Sequence, residues 1–381
     1  MALNGGLQVV LIAHMADIHL GYAQYGLSER ERDIYETFEE AVELVMREHA
    51  DILLIAGDLF DAPKPSIKAL INARKLLKEL RDKGVEIYHV IGDHEIPRRV
   101  DDLPPTALLE AISTHVGLRN IKLGGDIMLT GLDRIRPSMR EEALKELEGL
   151  AEDAKKMRKR IMLAHAPLRG PENIAGKLPS GYSYYALGHE HVRKIFSIGG
   201  AVAAYPGSIE ILSTAEVEAW RTSGKGFLLV DLSGEEPIIH EVNLGSIRPQ
   251  RVVETDVKKL EKALQDLVEW ASGQSKKPVV HLRIRGRSVD RQRVLREIQE
   301  MLSRKALHYR YEIIEEAEEI ERVEEAPRID LRSMIREYML AKGFGEEDVD
   351  LAISIYEAFA SKGIEEVEKL ILKQAGEDAE R

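Results

Sequence analysis

The chain has 381 residues, too many for one ordinary domain, so two or three are expected. Hydrophobic residues make up 44 % and charged residues 31 %, a balance that suits a soluble protein with a large core and excludes a disordered chain. Cysteine is absent, which excludes disulfides, thiol catalysis and Cys-ligated zinc, and the net charge of −12 taken alone argues against a polyanionic partner. No run of about 18 apolar residues offers a membrane span, and the start of the chain is expected to lack the basic start and cleavage site of a signal peptide. The expectation is an intracellular protein of cytoplasm or nucleoid with no membrane partner. Abundant Glu, Lys and Arg without Cys also fit a thermophile.

In chain order, a first strand is expected over 7–12, leading into Asp17-Ile18-His19. Ser28 reads as the N-cap of a helix whose apolar face carries Ile34, Phe38, Val42 and Val45. A second strand over 51–56 stops abruptly at Gly57-Asp58. After a helix at 66–82, a third strand over 85–91 ends at Gly92-Asp93-His94-Glu95. Pro104 and Pro105 open a helix at 105–114, short strands follow near 120–123 and 127–132, and a charged helix covers 138–158. A strand over 161–164 ends at His165, and another over 184–187 ends at Gly188-His189-Glu190-His191. Further strands fall at 194–198 and 201–205, then the turn Pro206-Gly207-Ser208 and a hairpin over 226–242. Three β/α units followed by successive strands imply two packed sheets with helices outside, an α-β-β-α sandwich over 1–245.

Beyond that point the texture changes. Residues 246–316 read β-α-β-α-β, a small α/β cap domain. Between 246 and 311 there are 16 Lys and Arg against 8 Asp and Glu, a local +8 that leaves −20 on the rest. Arg283, Arg285 and Arg287 alternate along one strand and so share a face suited to phosphate backbones. An acidic linker over 317–328 precedes a helical tail, 329–381, with helices near 330–342, 346–361 and 364–374. Its apolar residues Leu331, Met334 and Tyr338, then Leu351, Ile355 and Phe359, recur at helical spacing and form faces that either pack back on their own domain or dock on a partner.

Asp17, His19, Asp58, Asp93, His94, His165, His189 and His191 all fall at the ends of successive strands. Strand ends in α/β sheets are where ligands bind. A lone histidine is most often a satisfied core or surface residue, but five of the chain's 12 stand at these positions. Mixed imidazole and carboxylate suit transition metals rather than calcium, and seven ligands are too many for one ion and about right for two. Asp58, in the middle of the set, reads as the carboxylate shared between them. No His-Glu-x-x-His occurs, so a zincin protease is not indicated.

The series Asp17-x-His19, Gly57-Asp58-x-x-Asp61, Gly92-Asp93-His94-Glu95, His165 and Gly188-His189-x-His191 resembles the calcineurin-like metallophosphoesterases. With His165-Ala166-Pro167, Tyr185-Ala186-Leu187-Gly188 and Tyr205-Pro206-Gly207-Ser208, it resembles the SbcD-type double-strand-break repair nucleases, the meiotic-recombination-eleven family. The resemblance implies one ion on Asp17, His19 and His191, another on Asp93, His165 and His189, and Asp58 bridging. Manganese is the first choice, with magnesium the alternative. It implies that His94 faces the scissile phosphate and is catalytic rather than metal-binding. It further implies a nuclease acting on DNA ends and on hairpin or single-stranded DNA, a cap that grips DNA, a homodimer contact at 105–114, and a tail that binds an SMC-like coiled-coil ATPase of the SbcC type. Asp93 departs from the family's usual Asn; it still offers an oxygen ligand, so altered metal preference rather than inactivity is expected. The competing readings are a phosphoesterase acting on a non-DNA ester, which would need neither basic cap nor docking tail, and a scaffold without metals, against which the near-complete ligand set argues.

Overall fold

The computed structural model of the chain describes residues 10–362 except 100, 125, 169–172, 288 and 316–329, and beyond 362 only 364, 367 and 371. Two compact units are present, 1–316 and 317–381.

The first begins β1 (Leu11–Met15), α1 (Ser28–Arg47), β2 (Ile52–Ala56), α2 (Ile67–Asp82), β3 (Glu86–Val90). It continues through β4 (Thr114–His115), β5 (Asn120–Leu123), β6 (Ile127–Leu132), α3 (Arg140–Ala154), β7 (Lys159–His165) and β8 (Tyr184–Gly188). Then come β9 (Lys194–Ile198), β10 (Ala201–Tyr205), α4 (Val217–Ser223), β11 (Gly226–Asp231) and β12 (Ile238–Asn243). One six-stranded sheet has the order β12-β11-β1-β2-β3-β4, the other β5-β6-β7-β8-β10-β9. Neighbours from β1 to β4 are parallel, as are β6, β7, β8 and β10, so these strands point their C-terminal ends the same way within each sheet.

The alternation of side chains explains the layers. Ile12, Leu54 and Val230 from one sheet pack against Leu129, Leu163 and Ala186 from the other. Ala13, Leu53 and Ile55 face outward onto Phe38 and Val42 of α1 and Leu76 and Leu80 of α2. Met162, Ala164 and Tyr185 face outward onto Leu147 and Ala151 of α3. The result is the α-β-β-α sandwich expected from the element order. β2 is buried at every position because both its faces are covered, which is why its sequence is an unbroken aliphatic run.

Several boundaries differ from expectation. β1 runs on to Met15, past His14, which is fully buried and hydrogen-bonded to Tyr184 Oη at 2.8 Å. Leu27, not Ser28, is the N-cap of α1, and no side chain caps it; the Ser28 hydroxyl donates to Glu29 instead. Ser66 does cap α2, accepting from Ala69 N at 3.1 Å. The helix expected at 105–114 is only a 3-10 turn, Pro105–Leu109. Residues 114–115 pair instead with β3. The 138–158 helix ends at Ala154, after a 3-10 turn at Pro137–Met139.

Within the same unit lie β13 (Gln250–Asp256), α5 (Leu260–Ser272), β14 (Val279–Gly286), α6 (Arg291–Leu302) and β15 (His308–Glu315). They form a parallel three-stranded sheet with a core of its own, Leu264, Leu282, Ile284 and Ile298 among it. A buried ionic network ties this sheet to α1. Asp33 accepts from Arg30 Nη1 at 2.6 Å and from Arg248 Nε and Nη2 at 2.5 and 2.8 Å, and Lys276 Nζ lies 3.4 Å away. Glu210 accepts from Arg30 Nη2 at 3.1 Å and from Arg248 N at 3.2 Å. Gln24 Oε1 receives both Arg30 Nε and Gln250 Nε2 at 3.0 Å. Buried charges persist only when paired and hydrogen-bonded in this way.

The second unit holds α7 (Leu331–Ala341) and α8 (Glu346–Lys362), linked by Arg336 to Glu346 at 2.7 Å and to Asp350 at 2.6 Å. The acidic linker lies outside the described residues, as does most of the 364–374 segment expected to be helical. Among the described residues no helix is long and apolar enough to cross a membrane.

His14 and His89 make the sandwich acid-sensitive. Burial pushes each imidazole down to about 3. Between that value and 6.5 the unfolded chain binds protons that the folded chain refuses, so stability is full above 6.5 and falls as pH drops through the window. Each can contribute a slope of up to about 1.4 kcal/mol per pH unit. Urea unfolding between pH 6 and 4.5 is expected to show a shallower acid loss in His14→Gln/His89→Gln than in the unsubstituted chain; equal slopes would contradict the assignment.

Candidate metal centre

The polar residues named from sequence converge at the C-terminal edge of the parallel strands. Asp17 and His19 follow β1, Asp58 follows β2, Asp93 and His94 follow β3, His165 ends β7, and His189 and His191 follow β8. Four of them, Asp17, His19, Asp58 and His189, have left-handed backbone with φ of 52°, 53°, 52° and 103°. Such conformations cost about 1–3 kcal/mol each and persist where surrounding contacts over-determine them. Here Asp17 N donates to Gly57 O at 3.1 Å, His19 N to Asp58 O at 2.9 Å, and Leu20 N to Leu59 O at 2.9 Å. His189 N donates to both Asp17 carboxylate oxygens, at 3.1 and 3.0 Å, and His94 N to Asp58 Oδ1 at 2.9 Å.

The glycines ahead of three ligands are demanded by crowding. A Cβ on Gly57 would lie 2.3 Å from His165 Nδ1, one on Gly92 2.1 Å from Asp58 Oδ1, and one on Gly188 1.8 Å from Ala56 O. Loop backbones therefore approach the ligands more closely than any side chain permits.

Two clusters result, each offering three ligand atoms within 4.8 Å of one another: Asp17, His19 and His191, and Asp93, His165 and His189. Asp58 joins a third with Asp17 and His165 and a fourth with Asp93 and His94. Its Oδ2 lies 3.8 Å from His19 Nε2 and 3.4 Å from His165 Nε2, one histidine from each of the first two clusters. His19 Nε2 is buried without a hydrogen-bond partner and belongs to one of these clusters, which fits a cation ligand. Four imidazoles and three carboxylates suit two divalent transition ions.

Other groups orient these imidazoles from behind. His19 Nδ1 meets Asp61 Oδ1 at 3.1 Å, His165 Nδ1 donates to Ala56 O at 2.8 Å, and His191 Nδ1 meets Glu216 Oε1 at 3.2 Å. Such partners fix tautomer and ring orientation in metal sites. One Asp93 oxygen receives His165 Nε2 at 2.7 Å and His189 Nδ1 at 3.1 Å. Burial alone would raise the Asp93 carboxyl, but these two imidazoles hold it well below the usual carboxylate range. Burial alone would lower His165, yet Asp58 and Asp93 prevail and push it up to about 10. Glu95, fully buried, is pushed up to about 8 by burial and the Asp58 charge, and it accepts from Gly92 N and Phe60 N at 3.0 and 3.2 Å.

The family model for the calcineurin-like phosphoesterases matches residues 10–193. A DNA double-strand break repair protein Mre11 from Sulfurisphaera tokodaii is 34 % identical over 76 % of this chain and 77 % of its own length. The Mre11 protein of Saccharolobus solfataricus is 31 % identical over 97 % and 99 %, and that of Methanocaldococcus jannaschii 31 % over 92 % and 94 %. The chain belongs to the Mre11 family. The Mre11 motifs read in the sequence are thus the strand-end loops just described.

Other residues named from sequence lie on separate elements of the chain. Arg283 and Arg285 project from the exposed face of β14, and Arg287 follows it. Arg283 stands 3.8 Å from Glu312 of β15, and Arg285 pairs with Glu254 of β13, so the stripe is more compensated than its sequence suggests. Leu331, Met334 and Tyr338 of α7 are exposed, as is Phe359 of α8, whereas Leu351 and Ile355 are half-buried. Sequence reasoning gave no role to Asp61 or Glu95, although both stand inside the quoted motifs. It missed Glu216 altogether, which carries no motif.

Proposed function

We propose that this chain is a metal-dependent DNA nuclease that processes double-strand ends in repair. The observation that carries the reading is the pair of three-ligand clusters sharing Asp58, with His94 at their rim. Asp17, His19 and His191 would hold one divalent cation and Asp93, His165 and His189 the other, with manganese first and magnesium the alternative. When bound, two such cations supply the positive charge that polarises a phosphodiester and activates water for in-line attack. The chain's own contribution is orientation. Asp61 turns His94 by accepting near its Nδ1, through the backbone oxygen at 3.0 Å and Oδ1 at 3.4 Å, leaving the half-exposed ring to meet the phosphate or the leaving oxygen.

Arg283, Arg285 and Arg287 form the proposed DNA-gripping face of the cap. The Glu partners of Arg283 and Arg285 are exposed surface contacts of little net stability, which phosphate can replace. Reversing all three arginines to Glu is expected to weaken duplex binding and reduce its salt slope by up to about three. An unchanged slope in a titration from 50 to 200 mM salt would remove the cap from the DNA interface. The exposed apolar residues of α7 and α8 support docking on an SMC-like coiled-coil ATPase of the SbcC type, and a homodimer contact is proposed near 105–114. Action is placed in the cytoplasm, on the nucleoid.

The deciding experiment is manganese-dependent cleavage of end-labelled duplex and hairpin DNA, with and without the ATPase. Exonucleolytic shortening and hairpin opening are both expected. Hydrolysis of a small phosphodiester with no cut in either DNA would favour the non-DNA phosphoesterase.

A further inference from the structure

The turn Tyr205-Pro206-Gly207-Ser208 and the buried pair Glu216 and Lys225 stand outside the ligand set, yet all converge on one ligand. The His191 carbonyl accepts from Ser208 N at 3.1 Å and from Lys225 Nζ at 2.8 Å. Gly207 has φ of +81°, and a Cβ there would lie 2.8 Å from that carbonyl, so the turn is seated directly against the His191 backbone. The imidazole is held from the other side. Glu216 Oε1 receives His191 Nδ1 at 3.2 Å and Ser213 Oγ at 2.8 Å. Its Oε2 receives Ser208 Oγ at 2.9 Å, Leu212 N at 3.3 Å and the Lys225 ammonium.

Glu216 is 2 % exposed and Lys225 4 %, so water makes no substantial contribution to this geometry. A carboxylate receiving an ammonium, two hydroxyls and an amide is ionised and can only accept. His191 must therefore present Nδ1–H to it, which leaves the Nε2 lone pair for a cation. The other cluster lacks this arrangement, since His165 leans on a neutral carbonyl, that of Ala56.

We propose that Glu216, braced by Ser208 and Lys225, is a positioning residue that fixes the ring and tautomer of His191, and thereby sets cation affinity at the Asp17–His19–His191 cluster without setting it at the other. This rests on the assignment of His191 as a ligand in the proposed function. In Glu216→Gln the amide oxygen satisfies Lys225 and Leu212 N, which turns the amide NH2 toward His191 and favours the wrong tautomer.

The test is titration of the full chain with manganese, followed by calorimetry and by electron paramagnetic resonance of the free ion. The unsubstituted chain is expected to bind two ions. In Glu216→Gln one ion should bind about 10- to 100-fold more weakly while the other is unchanged. Ser208→Ala, which removes one brace and leaves the contact to His191, should give a smaller loss at the same ion. Two ions bound as in the unsubstituted chain by folded Glu216→Gln, or both ions weakened alike, would overturn the proposal. If Glu216→Gln does not fold by circular dichroism, Glu216→Gln/Lys225→Met, which leaves no charge unpaired and in which Leu212 N still claims the amide oxygen, carries the same expectation. Should neither fold, Glu216 is a structural residue and the proposal falls. His191→Ala separates the two levels: it should lose one ion, and retention of both would refute the ligand assignment rather than the role of Glu216.

Discussion

Asp58→Ala is expected to bind neither manganese ion at concentrations where the unsubstituted chain binds two. Asp58 is buried, and its Oδ2 lies between one histidine of each cluster. Its Oδ1 also accepts from His94 N, so the substitution frees the loop that carries Asp93 and His94. A variant in only one cluster should lose only one ion. Losing both removes several kcal/mol of charge stabilisation from the reaction, on the order of a thousandfold in rate. Calorimetric stoichiometry decides the matter. If Asp58→Ala keeps one ion at full affinity, Asp58 belongs to a single cluster and does not bridge.

His94→Ala should behave in the opposite way, retaining both ions while DNA cleavage falls by about 10²- to 10⁴-fold. The Asp61 carboxylate beside it pushes the His94 imidazole up to about 9. The protonated ring is thereby favoured, and in that form it can stabilise the phosphate or protonate the leaving oxygen. Two cations nearby would draw that value down, toward the range where proton transfer is most effective. Single-turnover cleavage, measured with manganese binding on the same preparation, separates the two roles. Cleavage at the unsubstituted rate would exclude a catalytic part, and loss of an ion would make His94 a ligand.

The candidate site was legible because its polar residues lie at places the sequence marks by itself. An aliphatic run that halts at Gly-Asp or Gly-His locates both a buried strand and the polar edge beyond it. The glycines were visible as motif letters, but the reason for them was not: Gly188 is required by the Ala56 carbonyl at the end of β2, and Gly92 by Asp58 just beyond it. β1 was expected to end at Ile12, short of His14, whose burial depends on Tyr184, 170 residues away. The 105–114 helix failed for a different reason, since local propensity did not reveal that 114–115 would pair with β3. The arginines of β14 were legible as charge. Their Glu partners were not, because these follow from the parallel register with β13 and β15. Glu216 left no trace in sequence, since its meaning depends on five partners: His191 after β8, Ser208 of the turn, Leu212 and Ser213 of the short loop before it, and Lys225 just ahead of β11.

The ionic network under Asp33 restricts how this architecture can be inherited. Its members come from α1, from the loop at Glu210 and from the segment around Arg248. A three-stranded sheet carried on a simple tether could be exchanged between relatives as a cassette. Here a graft that brought Arg248 without Asp33, or Asp33 without Arg30 and Arg248, would strand a charge away from water at a cost of about 3–5 kcal/mol. The natural seam for recombination is therefore not the chain position where the third sheet begins, and chimaeras must carry both sides of the network together.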